Sequence, residues 1–261
     1  MNPSTSTLDG KTALVTGGNS GIGLATAQLL VSLGARVAIT GRDQAKLDEA
    51  VAALGPTAIA IQADLNDMAA IERVASVIGE RFGRLDILFA NAGISGPSPL
   101  GKTTLEAFEA VLRTNLTAVF FTVQAVLPLF SDDAAIVLNG SVMRELGSPG
   151  SAAYAASKGG ITSMAKVFAS ELAPRNIRVN TVIPGGTRTP IWSRGARAGA
   201  EPDAAEKAFS SRIPIGRFAE ADEVARAVVF LASAAGITGA EIVVDGGTTG
   251  APWGSPLMTG R

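Results

Sequence analysis

Tyr154 and Lys158 are the residues of this chain best placed to move a proton. They stand four apart in a stretch, 154–172, whose pattern predicts a helix, so both side chains share one face a turn apart. Tyr154 is the only tyrosine, and the chain has no histidine and no cysteine. Those absences remove Ser-His-Asp triads, thiolate nucleophiles, disulfides and nearly all zinc sites, so no metal is expected. Acid–base work near neutral pH then falls to Tyr, Lys, Asp or Glu. A free phenol titrates near ~10, so a neighbouring cation has to favour its ionised form, and Lys158 is placed to supply one. Such a pair could give a proton to a substrate oxygen or take one from it. A Tyr/Lys pair at this spacing also occurs on solvated helix faces, so a second motif has to decide.

That motif is Thr16-Gly17-Gly18-Asn19-Ser20-Gly21-Ile22-Gly23, spaced G-x-x-x-G-x-G. Glycines let a backbone turn tightly and approach a pyrophosphate, which then sits at a helix N-terminus. The spacing needs a strand before it and a helix after it to mean more than a glycine-rich turn. Both are expected here.

Strand and helix patterns alternate along the chain. Near-continuous apolar runs predict strands at 12–16, 36–40, 57–61, 85–90, 134–138, 177–183 and 241–244. Helices are expected at 21–33, 43–53, 67–81, 104–130, 154–172 and 222–232. This is the signature of βαβ units. The expected fold is α/β: a single-domain Rossmann-type doubly wound parallel sheet of about seven strands with helices on both faces. One domain over 1–261 is expected, with a substrate loop at about 184–214 and a tail at 248–261. Irregular stretches at 141–151 and 184–202 follow strand C-terminal ends, where ligands bind in open α/β sheets.

Composition narrows the partners. A formal net charge of −1 offers no footprint for nucleic acid. The most apolar region, 118–130, is broken by Thr122, Gln124 and Pro128, so no membrane is expected. The polar start, residues 1–11, lacks a signal-peptide pattern, and a cytoplasmic location is expected.

Taken together, the motifs resemble the short-chain dehydrogenase/reductase superfamily over nearly the whole chain. Besides the glycine loop they comprise Asp64 after the third strand, Asn91-Ala92-Gly93 after the fourth and Asn115 in the long helix. Ser141 follows the fifth strand, with Tyr154-x-x-x-Lys158 beyond it. Pro184-Gly185 with Thr189 follows the sixth, and Asp245-Gly246-Gly247 closes the seventh. The resemblance implies a catalytic set of Asn115, Ser141, Tyr154 and Lys158. Ser141 would donate to the substrate oxygen, Lys158 would also bond the nicotinamide ribose, and Asn115 would hold a water relaying protons to Lys158. It further implies a dinucleotide held by Gly17, Asn19, Ser20, Gly21, Ile22 and Gly23. Asp64 and Leu65 would lie by the adenine, Asn91, Ala92 and Gly93 along the cofactor, and Pro184, Gly185, Thr187 and Thr189 by the nicotinamide.

The tip of the second strand reads the adenosine ribose. An acid there would bond the hydroxyls of NAD and repel a 2′-phosphate. The chain has Gly41-Arg42 instead, while Asp43 is placed as an N-cap. NADP(H) is therefore expected over NAD(H), although Ser20 stands where many NADP-preferring relatives carry a second basic residue. The expected activity interconverts a ketone or aldehyde and an alcohol on a small-molecule substrate. The alternatives are a 3-oxoacyl carrier-protein reductase, a sugar dehydrogenase, or a nucleotide-sensing protein without chemistry. Carrier docking would want a basic patch, for which Arg188, Arg194 and Arg197 are scattered candidates. Arg144 and Glu145 depart from the small or apolar residues of relatives. They read as a solvated turn pair or as the wall of a pocket for a polar substrate. The resemblance and the apolar tail residues Trp253, Leu257 and Met258 point to a homotetramer.

Overall fold

The computed structural model describes residues 8–193, 206–207 and 209–251. The apolar runs form β1 (Thr12–Val15), β2 (Arg36–Gly41), β3 (Ala58–Gln62), β4 (Leu85–Ala90), β5 (Phe130–Asn139) and β6 (Arg178–Pro184). Two short strands follow, β7 (Thr187–Arg188) and β8 (Ala219–Glu220), and then β9 (Glu241–Val244). Seven of these make one parallel sheet in the order β3-β2-β1-β4-β5-β6-β9. This is the expected doubly wound fold. Strand order reverses at β1, which lies between β2 and β4, so the crevice for a ligand opens beyond the C-terminal ends of β1 and β4.

Each face of the sheet buries its own core. On one side α1 (Gly21–Ser32), α2 (Gln44–Leu54) and α7 (Ala221–Ser233) press Leu30, Leu47, Val224 and Val228 onto Val15, Ile39 and Phe89. On the other, α3 (Met68–Phe82), α5 (Ala118–Val126) and α6 (Ala152–Leu172) bring Val74, Ile78, Val123, Ile161 and Phe168 onto Leu14, Leu88 and Ile136. Both faces are covered, which is why the strands carry no polar alternation.

The long helix differs from the expected continuous 104–130. It consists of α4 (Leu105–Leu112), one wide π-type turn at Arg113–Thr117, α5 and a tight turn at Leu127–Leu129. Phe130 already belongs to β5, because Pro128 sits in that last turn and cannot supply the amide a continuing helix needs. By length and composition Leu105–Leu129 could cross a membrane, but one side is packed in the core through Val111, Ala118, Val119, Val123 and Val126. The β7–β8 pair also escapes the sequence pattern, since two-residue strands are too short to show a period.

Candidate active site

The glycine loop lies where the sheet order reverses and is stitched down from β4. Thr16 Oγ1 accepts from the amides of Asn91 (2.9 Å) and Ala92 (3.0 Å). Asn91 Nδ2 donates back to the carbonyls of Thr16 (2.9 Å) and Gly17 (3.3 Å). Gly17 has a φ of 63°, in the left-handed region. A Cβ on Gly23 would fall 2.3 Å from the Gly17 carbonyl oxygen, so α1 can start over the loop only with glycine there. Ser20, the N-cap of α1, makes no side-chain capping bond, and no acid stands in the first turn. The helix therefore offers open amides and an uncompensated positive end to an anion. A dinucleotide pyrophosphate fits this cradle.

Beside it, β2 ends in Gly41 and the exposed Arg42. Asp43 does cap α2, accepting from the Lys46 amide (3.3 Å) and pairing with Lys46 Nζ (3.5 Å). Its charge is thereby spent on α2, and no carboxylate among the described residues pairs with Arg42. A Cβ on Gly41 would lie 2.9 Å from Asn19 Nδ2, which places Asn19 against the strand tip. Asp64 is exposed and turns the chain by accepting from the Asn66 amide (3.0 Å). Leu65 lines a small cavity with Thr16, Ala90, Ala92 and Thr114.

Tyr154 and Lys158 share a face of α6, as expected. Ser151, the N-cap of this helix, supplies no side-chain bond. Instead Ser98, from the loop after β4, accepts from the Ala153 amide with its Oγ (2.9 Å). Lys158 is 4% exposed, and its Nζ donates to the Asn139 carbonyl at 2.6 Å. The ammonium lies 5.7 Å from the centre of the Tyr154 ring. Ser141 follows β5, is hydrogen-bonded with Tyr154 and accepts from the Met143 amide (3.2 Å). Burial pushes the Tyr154 phenol above its ordinary value, against the Ser141 hydrogen bond that lowers it. The expected lowering by Lys158 is therefore corrected: burial prevails, the opposing cause is the Ser141 hydrogen bond, and the ammonium is turned onto Asn139. Burial also pulls Lys158 down to about 8.

Asn115 sits in the π-type turn and is 1% exposed. Its Oδ1 accepts from the Ile94 amide (2.8 Å), and its Nδ2 donates to the Ile94 carbonyl (2.9 Å) and to Ser157 Oγ (3.1 Å). Ser157 in turn donates to the Tyr154 carbonyl (2.7 Å). The Asn115 side chain is a brace between the Asn91-Ala92-Gly93 loop and α6, with its bonds taken by protein groups.

Beyond β6, Gly185 packs against the Asp245 backbone and its amide donates to the Val244 carbonyl (2.9 Å). Thr187 is buried, its hydroxyl donating to the Gly185 carbonyl (3.2 Å). The Thr189 methyl would lie 3.1 Å from a Cβ on Gly21, so the segment after Pro184 folds back over the glycine loop. Arg188 pairs with Glu206 and Glu220. Arg194, Arg197, Trp253, Leu257 and Met258 lie outside the described residues.

The solvated-turn reading holds only for Glu145, whose side chain is half exposed. Arg144 is 12% exposed and reaches Glu145 and Glu241. Sequence reasoning also passes over Asn139 and Ser98. Asn139 Nδ2 donates to Asn91 Oδ1 (2.9 Å) while its carbonyl holds Lys158, which links the glycine loop to the lysine. Its Oδ1 is buried and has no partner among the described residues. A polar residue closing an apolar strand is the one signal that could have marked it; nothing marks Ser98.

Known proteins are similar to this chain over most of its length. Residues 17–249 match a family described as enoyl-(acyl carrier protein) reductase. The chain is 38% identical to a 3-oxoacyl-(acyl-carrier-protein) reductase of Thermotoga maritima, covering 92% of this chain and 98% of the relative. It is 39% identical to a D-threitol dehydrogenase of Mycolicibacterium smegmatis, covering 93% and 94%. A crystal structure of 3-ketoacyl-(acyl-carrier-protein) reductase from Brucella melitensis complexed with NADH is similar, with a TM-score of 0.85 and 32% identity over 93% of this chain and 99% of that one.

Proposed function

Since the chain belongs to the short-chain dehydrogenase/reductase superfamily and is an oxidoreductase interconverting carbonyl and alcohol groups, we propose that it works with NADP(H) and uses Tyr154 as its proton-transferring group. The observation that carries this reading is the meeting of Tyr154, Ser141 and Lys158 beside a glycine loop built for a pyrophosphate. Bound there, the nicotinamide would supply or accept the hydride. Tyr154 holds its proton at neutral pH, since its pKa is raised, and gives it to the substrate oxygen as the alcohol forms. Ser141 orients that oxygen with a second hydrogen bond. Lys158 holds the ribose with its ammonium, and Asn115 keeps α6 in register with the loop after β4. Gly17, Asn19, Ser20, Gly21, Ile22, Gly23, Asp64, Leu65, Asn91, Ala92, Gly93, Pro184, Gly185, Thr187 and Thr189 would line the dinucleotide with Tyr154 and Lys158, and Arg42 would lie at its 2′-phosphate.

The Brucella enzyme is described with NADH, so the preference proposed here rests on Arg42 and on the lack of an acid at Gly41. The test is NADPH oxidation by purified protein against a panel of ketones and aldehydes. Tyr154→Phe should abolish turnover while leaving NADPH binding intact; normal turnover in that variant would sink the mechanism.

A carrier-protein reductase is the second reading, favoured by the names of the relatives. Carrier docking would want free basic groups, and Arg188 is engaged by Glu206 and Glu220. A 3-oxoacyl thioester in the same panel separates the two. We also propose one domain, a cytoplasmic location and a homotetramer. Leu105, Phe120 and Phe121 leave an apolar face open along α4 and α5, and Phe230 and Val243 another. A monomer by light scattering at micromolar concentration would contradict the tetramer.

A further inference from the structure

We propose that Arg144, through its pairing with Glu241, is a positioning residue that aims the Ser141 hydroxyl. This deepens the reading above and rests on Ser141 as the group that orients the substrate oxygen. After β5 the chain leaves the sheet and makes one tight turn, Val142–Arg144. Ser141 opens that turn, with Oγ accepting from the Met143 amide, and its carbonyl accepts from the Arg144 amide (3.2 Å). Ser141 and Arg144 are thus the two ends of a single hydrogen-bonded unit.

The far end of that unit is clamped. Arg144 Nη1 pairs with Glu241 Oε2, while Nη2 pairs with Glu145 Oε1. Glu241 is the first residue of β9, at the edge of the sheet, and Lys166 of α6 places its Nζ 3.2 Å from the other carboxylate oxygen. One carboxylate therefore ties the serine turn to the sheet edge and to the helix that carries Tyr154 and Lys158. Burial pushes the Glu241 carboxyl up, but Arg144 and Lys166 outweigh it and hold it below its usual value, so the carboxylate is ionised at neutral pH.

Stability is a poor reason for such a pair. The Arg144 and Glu241 side chains are 12% and 21% exposed, so both ions lose much of their hydration, which largely offsets their attraction. Arg144 Nε is buried without a partner among the described residues. What the arrangement supplies is a fixed place for one end of a turn. At the other end sits a hydroxyl whose hydrogen bond to a reacting oxygen depends on aim, where a displacement of ~1 Å can cost on the order of 10²-fold in rate.

The experiment compares wild type, Arg144→Met, Arg144→Lys, Glu241→Gln and Ser141→Ala. Readouts are kcat, KM for NADPH and hydrogen exchange of the amides over 141–146. Arg144→Met and Glu241→Gln should each lose about tenfold to hundredfold in kcat with KM for NADPH unchanged, and should exchange faster over 141–146. Arg144→Lys, which keeps a cation against Glu241 and Glu145, should restore most of the loss seen in Arg144→Met. Glu241→Gln changes least and decides the matter if Arg144→Met fails to fold. Normal kcat and exchange in Glu241→Gln, with Ser141→Ala inactive, would overturn the positioning role alone. Full activity in Ser141→Ala would overturn that role and the reading of the site with it.

Discussion

Arg42→Ala should weaken NADPH far more than NADH, and the structure bounds by how much. Arg42 is exposed at the end of β2, and its carbonyl is held by Gln62 Nε2 (2.9 Å), so the backbone there is fixed while the guanidinium is unpaired among the described residues. The neighbouring carboxylate does not compete, because Asp43 is bound to the amide and ammonium of Lys46. Removing the side chain should therefore leave the fold of this corner unchanged. A hydrogen bond to a charged group contributes roughly 1.5–3 kcal/mol. Exposure screens it, so about 1–2 kcal/mol is expected, or about fivefold to thirtyfold in KM for NADPH. Adding Gly41→Asp should turn preference toward NADH by supplying a ribose partner that repels phosphate. Its cost is local, since the atoms nearest to a Cβ at 41 belong to the Asn19 side-chain amide. The assay is kcat/KM for both cofactors in wild type, Arg42→Ala and the double variant. Equal losses with both cofactors would mean that Arg42 only supports the structure, and a wild-type preference for NADH would overturn the assignment.

Lys158 gives a pH signature. Its pKa of about 8 lies below the ordinary 10.5, so kcat/KM for NADPH should fall with loss of one proton as pH rises through about 8; a flat profile to pH 10 would refute its role. Stability should move the other way, rising between about 8 and 10.5, because the unfolded chain still binds the proton that the folded one has released. Ser98→Ala removes the oxygen that caps the catalytic helix and should cost about 1 kcal/mol of stability, with a lower kcat and unchanged NADPH affinity. Denaturant unfolding and steady-state kinetics check both, and an unaltered midpoint and kcat would refute the cap.

What could be read from the chain alone is what local chemistry decides. Apolar runs without alternation mark strands covered on both faces, and the seven of them survive with shifts of a residue or two at most ends. Asp43 could be assigned as a cap because capping spans three residues. The Tyr154–Lys158 pair could be placed on one face because helical geometry fixes four-residue neighbours. The rest depends on partners distant along the chain. Ser98 reaches Ala153 across 55 positions and Arg144 reaches Glu241 across 97, and neither side of either contact carries a signature of the other. The break at Asn115 is of the same kind. A helix widens there because the asparagine is drawn to the Ile94 backbone and to Ser157, and the surrounding pattern still reads as helix.

The direction of the tyrosine pKa shows the limit most sharply. From spacing, Lys158 is a cation one turn away and should favour the phenolate. Packing adds desolvation, which disfavours charge on both groups, and it turns the ammonium onto the Asn139 carbonyl. The result is a phenol that keeps its proton and a lysine that holds its own less firmly. A protonated phenol is the form that carbonyl reduction requires, so burial poises this site for reduction near neutral pH. Alcohol oxidation needs Tyr154 as a base and should gain as pH rises until Lys158 discharges. The two directions should therefore have separated pH optima, oxidation on the alkaline side. Coincident optima for the forward and reverse reactions of one substrate pair would show that Tyr154 is not the group that sets them.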